Sequence, residues 1–166
     1  IHVTGKVEAS GSNTAGTAAT GIAIDSGASV AGIRNAGSIK ATASGENGTA
    51  RGIVDASGTV SLVENSGAIS ATGAKAGEGR NIAIDLSAAT GNVMVKQTAV
   101  ASGKTAPSIA GDIRFGAGNN LLDIADGTVT GDTTFGAGAD TLNLSGDAVY
   151  TGKVAFGGGG AAMSVT

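Results

Sequence analysis

A repeat of about 30 residues most constrains what this 166-residue chain can fold into. The segment GIAID at 21–25 returns as GIVD at 52–55 and as NIAID at 81–85, so its final aspartates lie 30 residues apart. A second block repeats in the same phase, with NAGSI at 35–39 matching NSGAI at 65–69. Repeats of this length are typical of solenoids and propellers, so each unit is expected to form one layer stacked on the next.

The period shortens towards the C-terminus. FGAGNNLLDI at 115–124 returns as FGAGADTLNL at 135–144, and FGGGG begins a third copy at 156. We expect one continuous segment, 1–166, with longer rungs and protruding loops over 1–112 and shorter rungs with Gly-Ala-Gly turns over 113–166. It is interpreted as a fragment of a longer protein. One position of the repeat is predicted to be occupied in successive units by Val7, Ile39, Ile69, Ala99, Val129 and Val149.

Apolar residues alternate with polar ones inside each unit. Ile22 and Ile24 form one such pair, and Ile39 and Ala41 form another. Alternation with period two predicts strands, here three short strands per unit separated by turn residues. With three Phe, one Tyr and no Trp, the chain lacks the residues of a bulky aromatic core. The predicted fold class is therefore all-β, a parallel β-helix in which each rung closes the backbone hydrogen bonds of its neighbour.

Polar stretches between the strands predict loops on one side of the coil. The two clearest are 43–51 and 73–81, and 11–20 and 102–108 are taken as their equivalents. Loops in the same phase are expected to leave from the same edge and form one ridge, where partner binding would be sought first. The candidate partner-binding residues are Glu46, Asn47, Arg51, Lys75, Glu78 and Arg80.

Two polar columns are predicted inside the repeat. Asp25, Asp55 and Asp85 would stack about 5 Å apart and cap turns, with a chain of bound cations as the alternative. Asn35 and Asn65 would form a ladder of side-chain amides that supports stacking without a ligand.

The Gly-rich turns at 116–120 and 136–142 resemble the calcium-binding repeats of the repeats-in-toxin family. Asp123 and Asp140 are accordingly the candidate calcium ligands, because Ca²⁺ binds carboxylate and carbonyl oxygens. That family repeats every nine residues whereas this chain repeats every twenty, and Asn120 stands where Asp is expected. The alternative is a turn that uses Gly and Asx for local backbone geometry, with no cofactor.

Composition argues against several other functions. The net charge of −3 offers no basic surface for nucleic acid, and no apolar stretch is long enough for a transmembrane segment. Cysteine is absent and His2 is the only histidine, so thiolate metal sites are excluded and a Ser/His/Asp triad is not expected. The chain is therefore predicted not to be an enzyme. A carbohydrate-active β-helix with paired carboxylates in a groove is kept as an alternative.

The motifs at 35–39 and 65–69, together with DTTFGAG at 132–138, resemble the passenger region of bacterial type V autotransporters. The resemblance covers nearly the whole chain. It implies a right-handed β-helix, displayed on or secreted from the surface of a Gram-negative bacterium by a C-terminal outer-membrane barrel of the same precursor. It further implies a stalk or an adhesive rod that contacts host or sibling cells, and a role in virulence. A calcium-responsive folding module is the alternative function.

Overall fold

The computed structural model describes residues 1–166 as 19 β-strands without a helix. The strands, numbered in chain order, form three parallel sheets. Sheet 1 contains β1 (His2–Val3), β4 (Gly32–Asn35), β7 (Leu62–Asn65), β10 (Met94–Gln97), β13 (Leu121–Ile124), β16 (Asp140–Leu144) and β19 (Ala161–Val165). Sheet 2 contains β2 (Lys6–Gly11), β5 (Ser38–Ala43), β8 (Ala68–Thr72), β11 (Ser108–Ala110), β14 (Thr128–Thr130) and β17 (Val149–Thr151). Sheet 3 contains β3 (Ala18–Ile24), β6 (Thr49–Asp55), β9 (Asn81–Leu86), β12 (Asp112–Phe115), β15 (Thr133–Thr134) and β18 (Val154–Ala155).

The chain visits the three sheets in strict rotation, and every strand pair is parallel. This arrangement confirms the predicted parallel β-helix with three strands per rung. At a strand spacing of about 4.8 Å, the seven strands of sheet 1 make a rod roughly 30 Å tall.

The interior is filled by stacked aliphatic side chains. Residues along most strands alternate between buried and accessible, as in β7 and β13. One cluster of 22 buried apolar residues runs through the rod. At one inner position Phe115, Phe135 and Phe156 stack with ring centroids 4.8 and 5.0 Å apart. The few aromatic residues therefore lie in one column instead of a globular core.

The inward position of sheet 2 departs from its sequence prediction at two rungs. It runs through Val7, Ile39, Ile69, Ile109, Val129 and Tyr150. The assignment of Ala99 was wrong because residues 98–107 form a loop, and the chain returns to sheet 2 only at β11. The assignment of Val149 was wrong by one residue, since Tyr150 pairs with Val129. The rung from Ile69 to Ile109 is consequently longer than predicted.

The four predicted loops leave the rod at two corners, not one. The segments 12–17, 44–48 and 73–80 all connect sheet 2 to sheet 3 and lie at the same corner. The fourth predicted loop, 102–108, is part of the connection from sheet 1 to sheet 2 and lies at a different corner, so its inclusion in the ridge was wrong. We call the 12–17, 44–48 and 73–80 loops together the loop ridge.

The Gly-Ala-Gly turns connect sheet 3 to sheet 1 and stack directly on one another. A Cβ at Gly136 would overlap the carbonyl oxygen of Gly116, and a Cβ at Gly116 would overlap that of Ala89. Glycine is required there because backbone lies against backbone, which gives the motif a structural reason independent of any ligand.

The buried amide ladder is confirmed and is longer than predicted. Asn35 Nδ2 donates to Asn65 Oδ1 at 2.8 Å, and Asn65 Nδ2 donates to Gln97 Oε1 at 3.1 Å. Gln97 Nε2 continues upwards to the Asp126 carbonyl at 2.7 Å. All three amide side chains are buried, so their polar groups are matched inside the rod.

The predicted carboxylate column does not form. Asp55 pairs with Ile24, and Asp85 pairs with Val54, because the register of sheet 3 is displaced from the sequence repeat. Both carboxylates still cap turns, as expected. Asp55 accepts hydrogen bonds from the backbone N–H groups of residues 57, 58 and 60, and Asp85 accepts one from the backbone N–H of residue 87.

Candidate functional surface

The loop ridge is held together by contacts between successive rungs. The guanidinium of Arg80 donates to the Glu46 carbonyl oxygen at 2.6 Å, which ties the 73–80 loop to the 44–48 loop. Asn47 Nδ2 lies 3.4 Å from the Ala15 carbonyl oxygen, a weak link to the 12–17 loop. The three loops therefore form one continuous surface.

A compact ion-pair cluster lies at the upper end of this ridge. Lys75 Nζ is 2.7 Å from Glu78 Oε1, and Arg80 contacts the other oxygen of the same carboxylate. The hydrogen bond from Lys75, aided by the positive charges of Arg80 and Lys75, lowers the pKa of Glu78. Because the Glu78 and Lys75 side chains are exposed, the cluster orders the loop more than it stabilises the fold.

The structure places five of the six predicted ridge residues in this surface. Glu46 and Asn47 are exposed in one loop, and Lys75, Glu78 and Arg80 belong to the next. Arg51 instead lies within β6, in register with Thr20 and Ile82. Its assignment to the loop was wrong because β6 begins at Thr49.

A polar cleft lies beyond the 73–80 loop at the same corner. It has a volume of about 270 Å³ and is lined entirely by polar or glycine residues: Gly77, Gly79, Arg80, Asn81, Asp112, Gly131 and Asp132. Arg114 donates to the Gly79 carbonyl oxygen at 2.6 Å and fixes the edge of the loop. Asn81 holds the loop from the other side through hydrogen bonds to the backbone of Ala74.

Two carboxylates on successive rungs form the upper wall of the cleft. Asp112 Oδ1 accepts a hydrogen bond from the Asp132 backbone N–H at 3.0 Å, and Asp132 Oδ1 accepts one from the Lys153 backbone N–H at 2.8 Å. Each carboxylate uses one oxygen to bind the rung above, and its other oxygen is available as a hydrogen-bond acceptor. Such a pair can accept hydrogen bonds from the hydroxyl groups of a polar ligand.

The same pair of carboxylates affects the pKa of Tyr150. Its hydroxyl contacts Thr133 Oγ1 at 2.9 Å and lies 3.2 Å from the carbonyl oxygens of Gly131 and Lys153. Burial raises the pKa of the Tyr150 phenol, and the negative charges of Asp132 and Asp112 raise it further. Tyr150 is thus a neutral hydrogen-bonding group beneath this wall of the cleft.

Asp112 and Asp132 were missed by the sequence reasoning. The signal was available, because Gly-Asp occurs at 111–112 and again at 131–132, in phase with the 20-residue repeat. The Gly-Ala-Gly turns of the same repeat, from which the calcium ligands were predicted, lie at a different corner.

The two candidate calcium ligands lie on opposite faces of sheet 1. Asp123 is on the outer face, in register between Lys96 and Asn143. Asp140 is buried, and its Oδ1 accepts hydrogen bonds from the backbone and side chain of Asn120, both at 2.9 Å. Its Oδ2 is buried without a hydrogen-bond partner.

The structure does not bring Asp123 and Asp140 into one site, and it contains no group of three or more acidic, histidine or cysteine side chains that could hold a metal ion. Calcium binding stays a prediction, tested by whether millimolar Ca²⁺ changes the melting temperature.

Comparisons with protein-family models, curated proteins and solved structures find no match to this chain. The structure contains no helix that could span a lipid bilayer.

Proposed function

We propose that this chain is a structural segment of a surface-displayed or secreted autotransporter passenger from a Gram-negative bacterium, acting as a stalk or an adhesive rod. The observation that carries the proposal is the continuous order of parallel strands, rung upon rung, through all three sheets. Each rung is supported by hydrogen bonds from the rung before it, so a rod can be extended by adding rungs without a new core. The partner expected for secretion is an outer-membrane barrel of the same precursor.

The loop ridge supports the adhesive form of this proposal. Its ion-pair cluster lies in a loop outside the stacked strands, with the Lys75 and Glu78 side chains exposed, and loops on a rigid scaffold commonly carry binding residues. A host or sibling-cell surface is the expected partner of an adhesive rod.

A rung deletion tests the structural role. Removing residues 36–65 joins Asn35 to Ser66 in phase and takes away one strand from each sheet. We expect this variant to remain β-rich by circular dichroism and to be shorter by about 4.8 Å in small-angle scattering. The control removes residues 36–55, which places two successive strands in sheet 1 and is expected to unfold. Unfolding of the in-phase variant would contradict a stackable spacer.

Display on cells tests the secretion and adhesion roles. The chain is fused between an N-terminal epitope and an autotransporter barrel, and we expect the epitope to reach the outer surface. Neutralising the ridge with Lys75→Gln, Glu78→Gln and Glu46→Gln is expected to reduce cell adhesion while the far-UV spectrum is unchanged. An epitope retained in the periplasm would reject the secretion role, and unchanged adhesion would reject the ridge.

A carbohydrate-binding role is a second candidate, favoured by the paired carboxylates of the polar cleft. The cleft volume of about 270 Å³ accommodates a unit the size of one sugar ring, and its lining offers acceptors in Asp112 and Asp132 and a donor in Arg80. Binding to a glycan panel, compared with the variant Asp112→Asn/Asp132→Asn, tests this role. Equal signals from the two proteins would reject it.

A further inference from the structure

The outer face of sheet 1 carries charges of alternating sign on successive rungs. The strand register places Arg34, Glu64, Lys96 and Asp123 one above the other in a single column. All four lie on the accessible side of their strands. The lower pair is an ion pair, with Arg34 Nη1 3.1 Å from Glu64 Oε2. We call this column the charge ladder.

A second column on the same face is apolar. Two residues before each charged residue, the register aligns Gly32, Leu62, Met94 and Leu121. Met94 is 38% exposed, and Leu62 and Leu121 are partly accessible. At the lower end of the column, Gly32 leaves a notch in the surface, bordered by Ala31 and Leu62. A Cβ at Gly32 would meet only Leu62, at 3.5 Å or more, so packing within the chain leaves this space open.

From these two columns we propose that the outer face of sheet 1 binds a second copy of the same chain, with the two rods side by side and antiparallel. The two copies are related by a two-fold axis that runs parallel to the strands and passes between the rungs of Glu64 and Lys96. Each column of one copy then faces the same column of the second copy, with its rungs in reverse order. Arg34 then faces Asp123 of the second copy, and Glu64 faces Lys96, so the charge ladder meets opposite charges at all four positions.

The apolar column is complementary under the same axis. Leu62 faces Met94, and Leu121 faces the notch at Gly32. The register is also selective, because a shift by one rung places like charges opposite each other along the ladder, as with Arg34 opposite Lys96. Like charges held against each other disfavour an arrangement, so the alternation specifies both the orientation and the alignment of the pair.

The size of the face predicts weak association. Six of the seven strands of sheet 1 overlap in this pairing, because β19 extends past the end of the second copy. Six strands about 4.8 Å apart, each contributing four residues of about 3.3 Å, give a contact of roughly 400 Å² per copy. The total of about 800 Å² is below the roughly 1,200–2,000 Å² of stable interfaces, so we expect a dissociation constant above about 10 μM. This inference deepens the proposed function by naming a partner for the rod. It rests on the proposed function in one respect: display of many copies on a surface lets weak contacts add up.

Charge reversal and mixing test the pairing. Glu64→Lys alone and Lys96→Glu alone each create two repulsive contacts in a homodimer, and we expect each to weaken self-association by about tenfold or more. A mixture of the two variants forms a heterodimer in which all four ladder positions meet opposite charges. Sedimentation equilibrium at low salt is expected to recover association on mixing, to within about threefold of the wild-type value.

The same substitutions on another sheet provide the control. Glu8 and Lys40 are neighbours on the outer face of sheet 2, in register on adjacent rungs. Glu8→Lys and Lys40→Glu are expected to leave self-association unchanged, and melting curves check that all four variants are folded. The proposal is overturned if the wild-type chain stays monomeric at millimolar concentration, if mixing restores nothing, or if the sheet 2 variants weaken association equally. None of these outcomes affects the rung-deletion test of the structural role.

Discussion

Truncating Asn65 is expected to be among the most damaging changes of a polar residue in this chain. Its side chain is fully buried at the centre of the amide ladder, between Asn35 and Gln97. In Asn65→Ala, the Gln97 Oε1 atom loses its hydrogen-bond donor and the Gly67 backbone N–H loses its acceptor.

The cost follows from these unpaired groups. A buried polar group left without a partner costs about 1–3 kcal/mol, which applies to Gln97, and the part-buried Gly67 N–H adds less, so the change predicts a loss of about 2–4 kcal/mol. That is a large part of the roughly 5–15 kcal/mol by which a domain is stable. Asn35 is less affected, because its Nδ2 still donates to the Ala68 carbonyl oxygen at 3.0 Å.

Urea unfolding followed by circular dichroism measures this loss. The matched control is Asn143→Ala, the same change on the outer face of β16, where the amide makes no hydrogen bond, and we expect it to cost less than about 0.5 kcal/mol. A cycle with Gln97→Ala is expected to give a coupling of about 1 kcal/mol between the two amides. Equal unfolding midpoints for Asn65→Ala and Asn143→Ala would refute the stabilising role of the ladder.

Gly67→Ala is expected to cost about 2 kcal/mol or more, because its Cβ would overlap the backbone of the rung below, whereas Gly5→Ala has open space and serves as the control in thermal melts. Tyr150 is the only tyrosine and there is no Trp, so absorbance titration of the tyrosinate is expected to give a pKa above 10.0 that decreases in Asp132→Asn; an unshifted value would contradict the buried, negatively charged surroundings. The lowered pKa of Glu78 means that the small stabilisation from its exposed ion pairs is present above pH 4.5 and is lost as the pH falls through the lowered value, so the small melting-temperature difference between wild type and Glu78→Gln is expected to shrink with acidification.

The fold was predictable because inward positions repeat. An isoleucine stacked on an isoleucine imposes the same requirement on every rung, as at Ile39 and Ile69, so the period is visible in the sequence. The amide ladder was predictable for the same reason from Asn35 and Asn65. Its third member escaped notice because Gln97 is a different residue type, at a spacing of 32 instead of 30.

The errors came from places where the sequence repeat and the strand register differ. Asp55 and Asp85 keep the 30-residue spacing, but sheet 3 pairs Asp85 with Val54, and so the predicted column is lost. The loop 98–107 similarly hides the return of the chain to sheet 2, which made Ala99 look like the next inward residue. Periodicity alone does not fix register when loop length changes from rung to rung.

Outward positions are not subject to the packing constraint that makes inward positions repeat, so a binding function is best sought on the outer faces of the rod. Because they do not pack inside the rod, their residues are less constrained, and the alternation of Arg34, Glu64, Lys96 and Asp123 at unequal spacings shows no repeat in the sequence. Alternating charges also favour stacking within the chain, as the Arg34–Glu64 ion pair shows. The evidence for a partner is therefore the match of the whole face to itself, including the open notch at Gly32. The outer face of sheet 1 is therefore a better candidate for a partner surface than the Gly-Ala-Gly turns, whose glycines are explained by backbone contact. It is also a better candidate than the Asp112–Asp132 wall, where one oxygen of each carboxylate already binds the rung above.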